Sequence, residues 1–236
     1  MRTARFIVSE DWLAQSAKCF AIPAGPLHHQ ITRVLRLKIG DHLSLLPNNG
    51  TEIDGLITDI SKQAITGTLQ AAVTLPDASP EITLAAAITK RDTFEWTLQK
   101  STELGVTRII PLLTERVIKR AAKTPQRWHD ILREATEQSG RARTPLLTEP
   151  LSIEAALKDR QTDSKLLFDE VGGTSQLPTL HKTTPITLFI GPEGGFSEAE
   201  RLLFANSGTH RLTLGSLVLR AETAALVGLS LLRFNK

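Results

Sequence analysis

A chain of 236 residues has room for one large domain or two ordinary ones, and its 41% hydrophobic residues can supply a core. It holds no run of about eighteen apolar residues and no leader pattern after Met1, which argues against a membrane-spanning or secreted protein and for the cytoplasm. Cys19 is the only cysteine, which excludes an internal disulfide, and 28 basic against 25 acidic residues give a formal charge of +3 that permits a polyanionic partner without requiring one.

In chain order, residues 5–8 read as a strand and residues 27–35 as a short helix. Residues 41–46 and 51–60 flank Asn48-Asn49-Gly50 and read as a hairpin, and residues 64–69 add another strand. This is a small β-rich, barrel-like unit. The stretch 75–80, LPDASP, reads as a linker. The rhythm then changes to strands alternating with helices, which predicts an α/β domain with a mainly parallel sheet. The expected domains are 1–74 and 75–236.

Within the second domain, residues 82–88 form an apolar strand, Asp92 with Glu95 gives a capping-box signal, and Gly105 should end that helix. Residues 106–113 predict a strand. Thr124-Pro125 predicts the start of a helix that buries Trp128, Ile131, Leu132 and Ala135 and stops at Gly140. Strands follow at 165–168, 186–190 and 211–214. Ser197 with Glu200 opens a capped helix ending near Gly208, and Ala221, Ala224, Ala225 and Gly228 give the last helix a small-residue face.

Two segments carry the strongest chemical signal. Ile190-Gly191-Pro192-Glu193-Gly194-Gly195 runs from a strand into a capped helix, and its glycines let a ligand approach the main chain; the same pattern serves a tight connection with no ligand. Leu214 to Leu226, LGSLVLRAETAAL, places Arg220 and Glu222 at a helix start beyond a strand's carboxyl end, where open α/β sheets bind ligands or where a charged pair simply caps the helix. Thr114, Glu115 and Arg116 follow another strand and can share the same rim. Glu134, Gln138 and Arg141 lie near a helix end. Arg33 and Arg36 in the first domain, and Arg116, Lys119 and Arg120 in the second, are basic clusters that suit phosphates or a solvated face. The six histidines show no His-Glu-x-x-His spacing, so no metal site is expected.

Together, HHQITRVLRLKIGD, QKSTELGV with TER, REATEQSGR, IGPEGGFSEAE and LGSLVLRAETAAL occur in order over nearly the whole chain. In this the sequence resembles the RsmE family of SPOUT-class methyltransferases, which methylate N3 of a uridine in 16S ribosomal RNA. The resemblance implies a PUA-like barrel, then an α/β domain with a trefoil knot that holds S-adenosylmethionine. On this chain the cofactor residues would be Leu112, Thr114 and Glu115; Ile190, Gly191, Pro192, Glu193, Gly194 and Gly195; and Leu214, Gly215, Leu217 and Leu219. It also implies a homodimer and a target within the 30S subunit.

Uridine N3 attacks a methyl group only if its proton leaves or the developing negative charge is stabilised, which suggests Arg220 against the uracil oxygens, with Glu222 or Glu193 orienting it or taking the proton. Arg33, Arg36, Arg116, Lys119, Arg120 and Arg141 are then the candidate RNA contacts. Another RNA target, or RNA binding without catalysis, remains open from the residues alone.

Overall fold

The computed structural model describes residues 3–76, 79–116, 123–160, 163–181 and 183–234. They fall into two units, Met1–Asp77 with Thr136–Arg143, and Ala78–Ala135 with Thr144–Lys236. The sequence assigned residues 75–236 to the second domain. The segment Thr136–Arg143 instead belongs to the first unit.

The first unit contains β1 (Ala4–Ile7), β2 (Leu13–Ala14), β3 (Cys19–Pro23), β4 (His42–Leu46), β5 (Thr51–Ile60) and β6 (Ala64–Thr74). Their order is β1-β4-β5-β6-β3-β2, with β1 parallel to β4 and the other pairs antiparallel. Alternation puts Ile53 and Ile57 of β5, and Ile65 and Leu69 of β6, into a core with Phe6, Phe20 and Leu43. Gly67 is required there, because a Cβ would meet the Leu56 carbonyl and the Phe20 ring. The turn before β5 has the expected residues: Asn48 at φ +63° and Gly50 at φ +94°.

Helix α1 (Pro26–His29) runs into a π-helical turn at Gln30–Val34, which buries Ile31 and leaves Arg33 exposed. The piece at 136–143 is tied in by specific bonds. Ile7 N–H donates to Glu137 Oε1 at 2.9 Å, and Arg5 donates to the Arg141 carbonyl at 3.2 Å while pairing with Glu52 at 2.7 Å.

The second unit comprises β7 (Ile82–Ala87), α2 (Arg91–Glu103), β8 (Arg108–Leu113), α3 (Gln126–Ser139, whose end lies in the first unit), β9 (Leu146–Leu147), β10 (Leu151–Ser152) and α4 (Ile153–Asp159). It continues with β11 (Ser164–Phe168), β12 (Ile186–Ile190), α5 (Glu198–Asn206), β13 (His210–Leu212) and α6 (Ala221–Phe234). Every strand pair is parallel, in the order β10-β8-β7-β12-β11-β13 with β9 also on β8. Both faces are covered. One buries Leu84, Ala86 and Leu188 with Phe94, Trp128 and Leu229 of α2, α3 and α6; the other buries Ala85, Ile110 and Phe189 with Ala156 and Phe204 of α4 and α5.

Two expected helix starts differ. Helix α2 begins two residues earlier than the Asp92–Glu95 box requires: Lys90 is its N-cap without a side-chain bond, and Glu95 accepts from Arg91 at 3.0 Å instead. Thr124 does not cap α3, since its N–H and hydroxyl donate to Glu149 at 2.8 and 3.1 Å. Gly105, at φ +84°, follows the end of α2 as expected.

Candidate active site

Ligands of open parallel sheets sit beyond the carboxyl ends of the strands. Here β12, β11 and β13 are neighbours, and the turns at their ends wall one cavity. Gly191, Pro192, Glu193 and Gly195 line it after β12, Asp169 and Glu170 after β11, and residues 213–219 after β13. Phe168, Ile190, Phe196, Ala221 and Ala224 complete the lining.

Each turn has a local cause. A Cβ on Gly191 would lie 2.9 Å from Phe196 Cε2, and that ring is fully buried against Phe204 with centroids 5.0 Å apart. Gly195 takes φ +66°. The expected capping box then starts α5: Ser197 Oγ accepts from Glu200 N–H at 3.2 Å, and Glu200 Oε2 accepts from Ser197 N–H at 2.8 Å. The other oxygen of Glu200 accepts from Glu115 N–H at 2.8 Å. Arg116 Nη1 donates to the Gly194 carbonyl at 2.5 Å. The turn after β8 therefore braces the glycine turn rather than lining the cavity.

Asp169 ties three elements together. Its buried carboxylate accepts from Arg201 Nε at 2.8 Å and Arg211 Nη2 at 2.6 Å, joining β11, α5 and β13. Burial pushes this carboxyl up, but the hydrogen bonds and charges of Arg201 and Arg211 outweigh it and hold it below the ordinary carboxylate range. The same bond to Asp169 raises Arg201 above its usual value.

Of the residues singled out from sequence, Ile190, Gly191, Pro192, Glu193, Gly195, Leu214, Gly215, Leu217 and Leu219 line the cavity. Leu112, Thr114, Glu115 and Gly194 do not: Leu112 and Thr114 are buried, Glu115 binds Glu200, and Gly194 faces Arg116. Arg220 and Glu222 are not lining residues either, but they alternate with Leu219 and Ala221, which are. Arg220 is exposed, and its carbonyl accepts from Ala224 N–H at 2.9 Å at the start of α6.

Sequence reasoning missed Asp169 and Glu170. The available signal was two carboxylates directly after an apolar strand, 164–168, at the ligand-binding end of an α/β sheet.

Among the RNA-contact candidates, Arg33, Arg36 and Arg116 are exposed, and Arg141 is half-buried. Lys119 and Arg120 lie outside the described residues. No group of three or more His, Cys, Asp or Glu able to hold a metal ion occurs among the described residues.

This arrangement can be compared with known proteins. The RNA methyltransferase domain family matches residues 77–233, and the RNA methyltransferase PUA domain family matches residues 28–70. The chain is 33% identical to ribosomal RNA small subunit methyltransferase E of Rickettsia conorii, over 87% of this chain and 85% of that protein. Its fold matches the crystal structure of the Neisseria gonorrhoeae methyltransferase E bound to S-adenosyl methionine, with a TM-score of 0.87 and 31% identity, covering 97% of this chain and 96% of that one. A Legionella pneumophila methyltransferase in complex with the same cofactor matches with a TM-score of 0.83 and 30% identity, covering 98% and 97%.

The PUA-like unit, the all-parallel sheet that follows it and the matches to both families place the chain in the SPOUT class of RNA methyltransferases. Within that class, the chain belongs to the ribosomal RNA small subunit methyltransferase E family, RsmE.

Proposed function

We propose that this chain transfers a methyl group from S-adenosylmethionine to N3 of a specific uridine in the decoding region of 16S ribosomal RNA. The observation that supports this most is the cavity at the ends of β11, β12 and β13 in a chain of this family. Its residues suit the cofactor. Main-chain N–H groups at 214–219 find no protein acceptor among the described residues, so they are free to read an adenine edge or ribose oxygens. Leu214, Leu217, Leu219 and Ile190 offer apolar surface to a purine ring.

The bound cofactor supplies a methyl group on a cationic sulfur. The chain supplies position and charge. Arg220, exposed at the start of α6 beside lining residues Leu219 and Ala221, is placed to sit against the uracil oxygens and favour the N3 anion. Glu222 in the first turn of α6, or Glu193 in the cavity wall, orients Arg220 or accepts the N3 proton. Arg33 and Arg36 contact phosphates, and the assembled 30S subunit is the substrate.

Two further parts of the reading concern architecture. The segment after β13 is threaded as a trefoil knot: β13 stands at the sheet's edge, yet α6 packs back on β7, β12 and α2. The protein acts as a cytoplasmic homodimer, which would cover the exposed apolar side chains of Leu217 (79% exposed), Val218 (77%) and Phe234 (67%).

Mass analysis of 16S ribosomal RNA from cells lacking the gene tests the activity. One methyluridine should disappear and return on complementation; a fully modified RNA in the deletion strain refutes it.

A further inference from the structure

Three carboxylates line the cavity, those of Asp169, Glu170 and Glu193, and no Lys, Arg or His side chain joins them among the described residues. Asp169 is neutralised by Arg201 and Arg211. Arg201 is further engaged by Glu198 at 2.9 Å. Glu170 forms no ion pair or hydrogen bond among the described residues, and the nearby Arg201, whose Nη2 would lie 3.6 Å from a Cβ built on Gly195, is already engaged by Asp169 and Glu198. It also stands over the glycine turn: a Cβ built on Gly195 would lie 3.5 Å from Glu170 Oε1. That places the carboxylate beside Gly195 in the wall of the same cavity.

We propose that Glu170 is a specificity determinant that selects the cationic cofactor over its neutral product. The inference rests on the cofactor reading above. In the transfer, the sulfur–methyl bond breaks as the bond from N3 to that carbon forms. The sulfur keeps the electron pair and becomes a neutral thioether, and the N3 proton passes to a base. The ligand thus loses one positive charge during turnover. An unpaired carboxylate in the wall attracts the sulfonium form and gains nothing from the thioether, which favours exchange of product for fresh cofactor. Asp169 cannot do this, because its charge is already spent on two guanidinium groups.

Calorimetry on the purified full-length protein tests the assignment with three probes: S-adenosylmethionine, S-adenosylhomocysteine, and sinefungin, an amine analogue that keeps the positive charge without a transferable methyl. Glu170→Gln should lower the preference for the two cationic ligands over S-adenosylhomocysteine by about two- to fivefold, the range of a solvent-screened pair, and leave S-adenosylhomocysteine affinity unchanged. Raising salt should shrink the preference in the wild type more than in the variant. Glu154→Gln removes the same charge from a Lys158 pair on α4 and should leave the preference intact.

Equal weakening of all three ligands by Glu170→Gln, or an unchanged preference, overturns the proposal while the cavity remains a cofactor site. Failure of the wild type to bind any of the three overturns the cofactor reading itself.

Discussion

Gly228 lies inside α6, where its missing side chain lets the helix approach the sheet, and Gly228→Ala sets two effects against each other. Alanine is favoured over glycine in a helix interior by about 1 kcal/mol. Against this, the new Cβ would lie 2.9 Å from Phe168 Cδ2 and from Leu188 Cδ2, and closer still to Phe168 Cε2. Leu188 is fully buried in the central strand β12, and Phe168 is buried at the end of β11. Overpacking of this kind costs about 1–3 kcal/mol, and contact with two buried groups puts it toward the upper end. The net expectation is a destabilisation of about 1–2 kcal/mol.

In a chain of this size that lowers Tm by roughly 2–8 °C. Because Phe168 also lines the cavity, cofactor affinity should fall with it. Thermal unfolding of the variant, and of Gly228→Ala combined with Phe168→Leu, provides the measurement. The smaller side chain should recover part of the loss, giving a favourable coupling between the two sites. A Gly228→Ala protein as stable as the wild type or more so would show that helix propensity outweighs the contact, and the account of α6 packing would be wrong.

Asp169→Ala leaves Arg201 and Arg211 without their shared carboxylate and should cost about 3–4 kcal/mol, the lower part of the range for broken buried pairs because Arg211 is partly exposed; urea denaturation reads the loss. Since the folded carboxyl sits below its ordinary value, its stabilisation is complete above about pH 4 and is lost as pH falls from there through the folded pKa, a trend that Asp169→Ala should lack. Arg220→Ala should lower kcat by at least about a hundredfold while calorimetric cofactor binding survives; a near-normal rate would remove Arg220 from the chemistry. Arg33→Ala with Arg36→Ala should weaken RNA binding and flatten the slope of log affinity against log salt by about two, which filter binding across a salt series measures.

Much of the second unit was legible because its signals are local. Apolar runs at 82–88 and 186–190 are long enough for buried strands and bounded by glycine or a polar turn. Ser197 and Glu200 satisfy each other's main-chain N–H groups within one turn, so a spacing of three positions suffices to see the box. The glycine turn was readable for the same reason. What escaped were features whose partners are far apart in the chain. Asp169 meets Arg201 and Arg211, 32 and 42 positions away. The role of Glu115 depends on Glu200, 85 positions on, and this distant bond turns a supposed cavity residue into a brace. The short pairings of β9 and β10 on β8 carry too few residues for any periodicity to register.

The assignment of Thr136–Arg143 to the first unit has a practical corollary. Two stretches of chain, separated by more than fifty intervening residues, complete that unit, so its gene cannot be halved at the proline-containing joint to give a whole piece. A fragment stopping at residue 77 would strip the Ile7 amide of its Glu137 acceptor and Arg5 of the Arg141 carbonyl. Separate expression of the PUA-like portion therefore calls for grafting the 136–143 peptide onto it, and evolution by simple swapping of this module is correspondingly constrained.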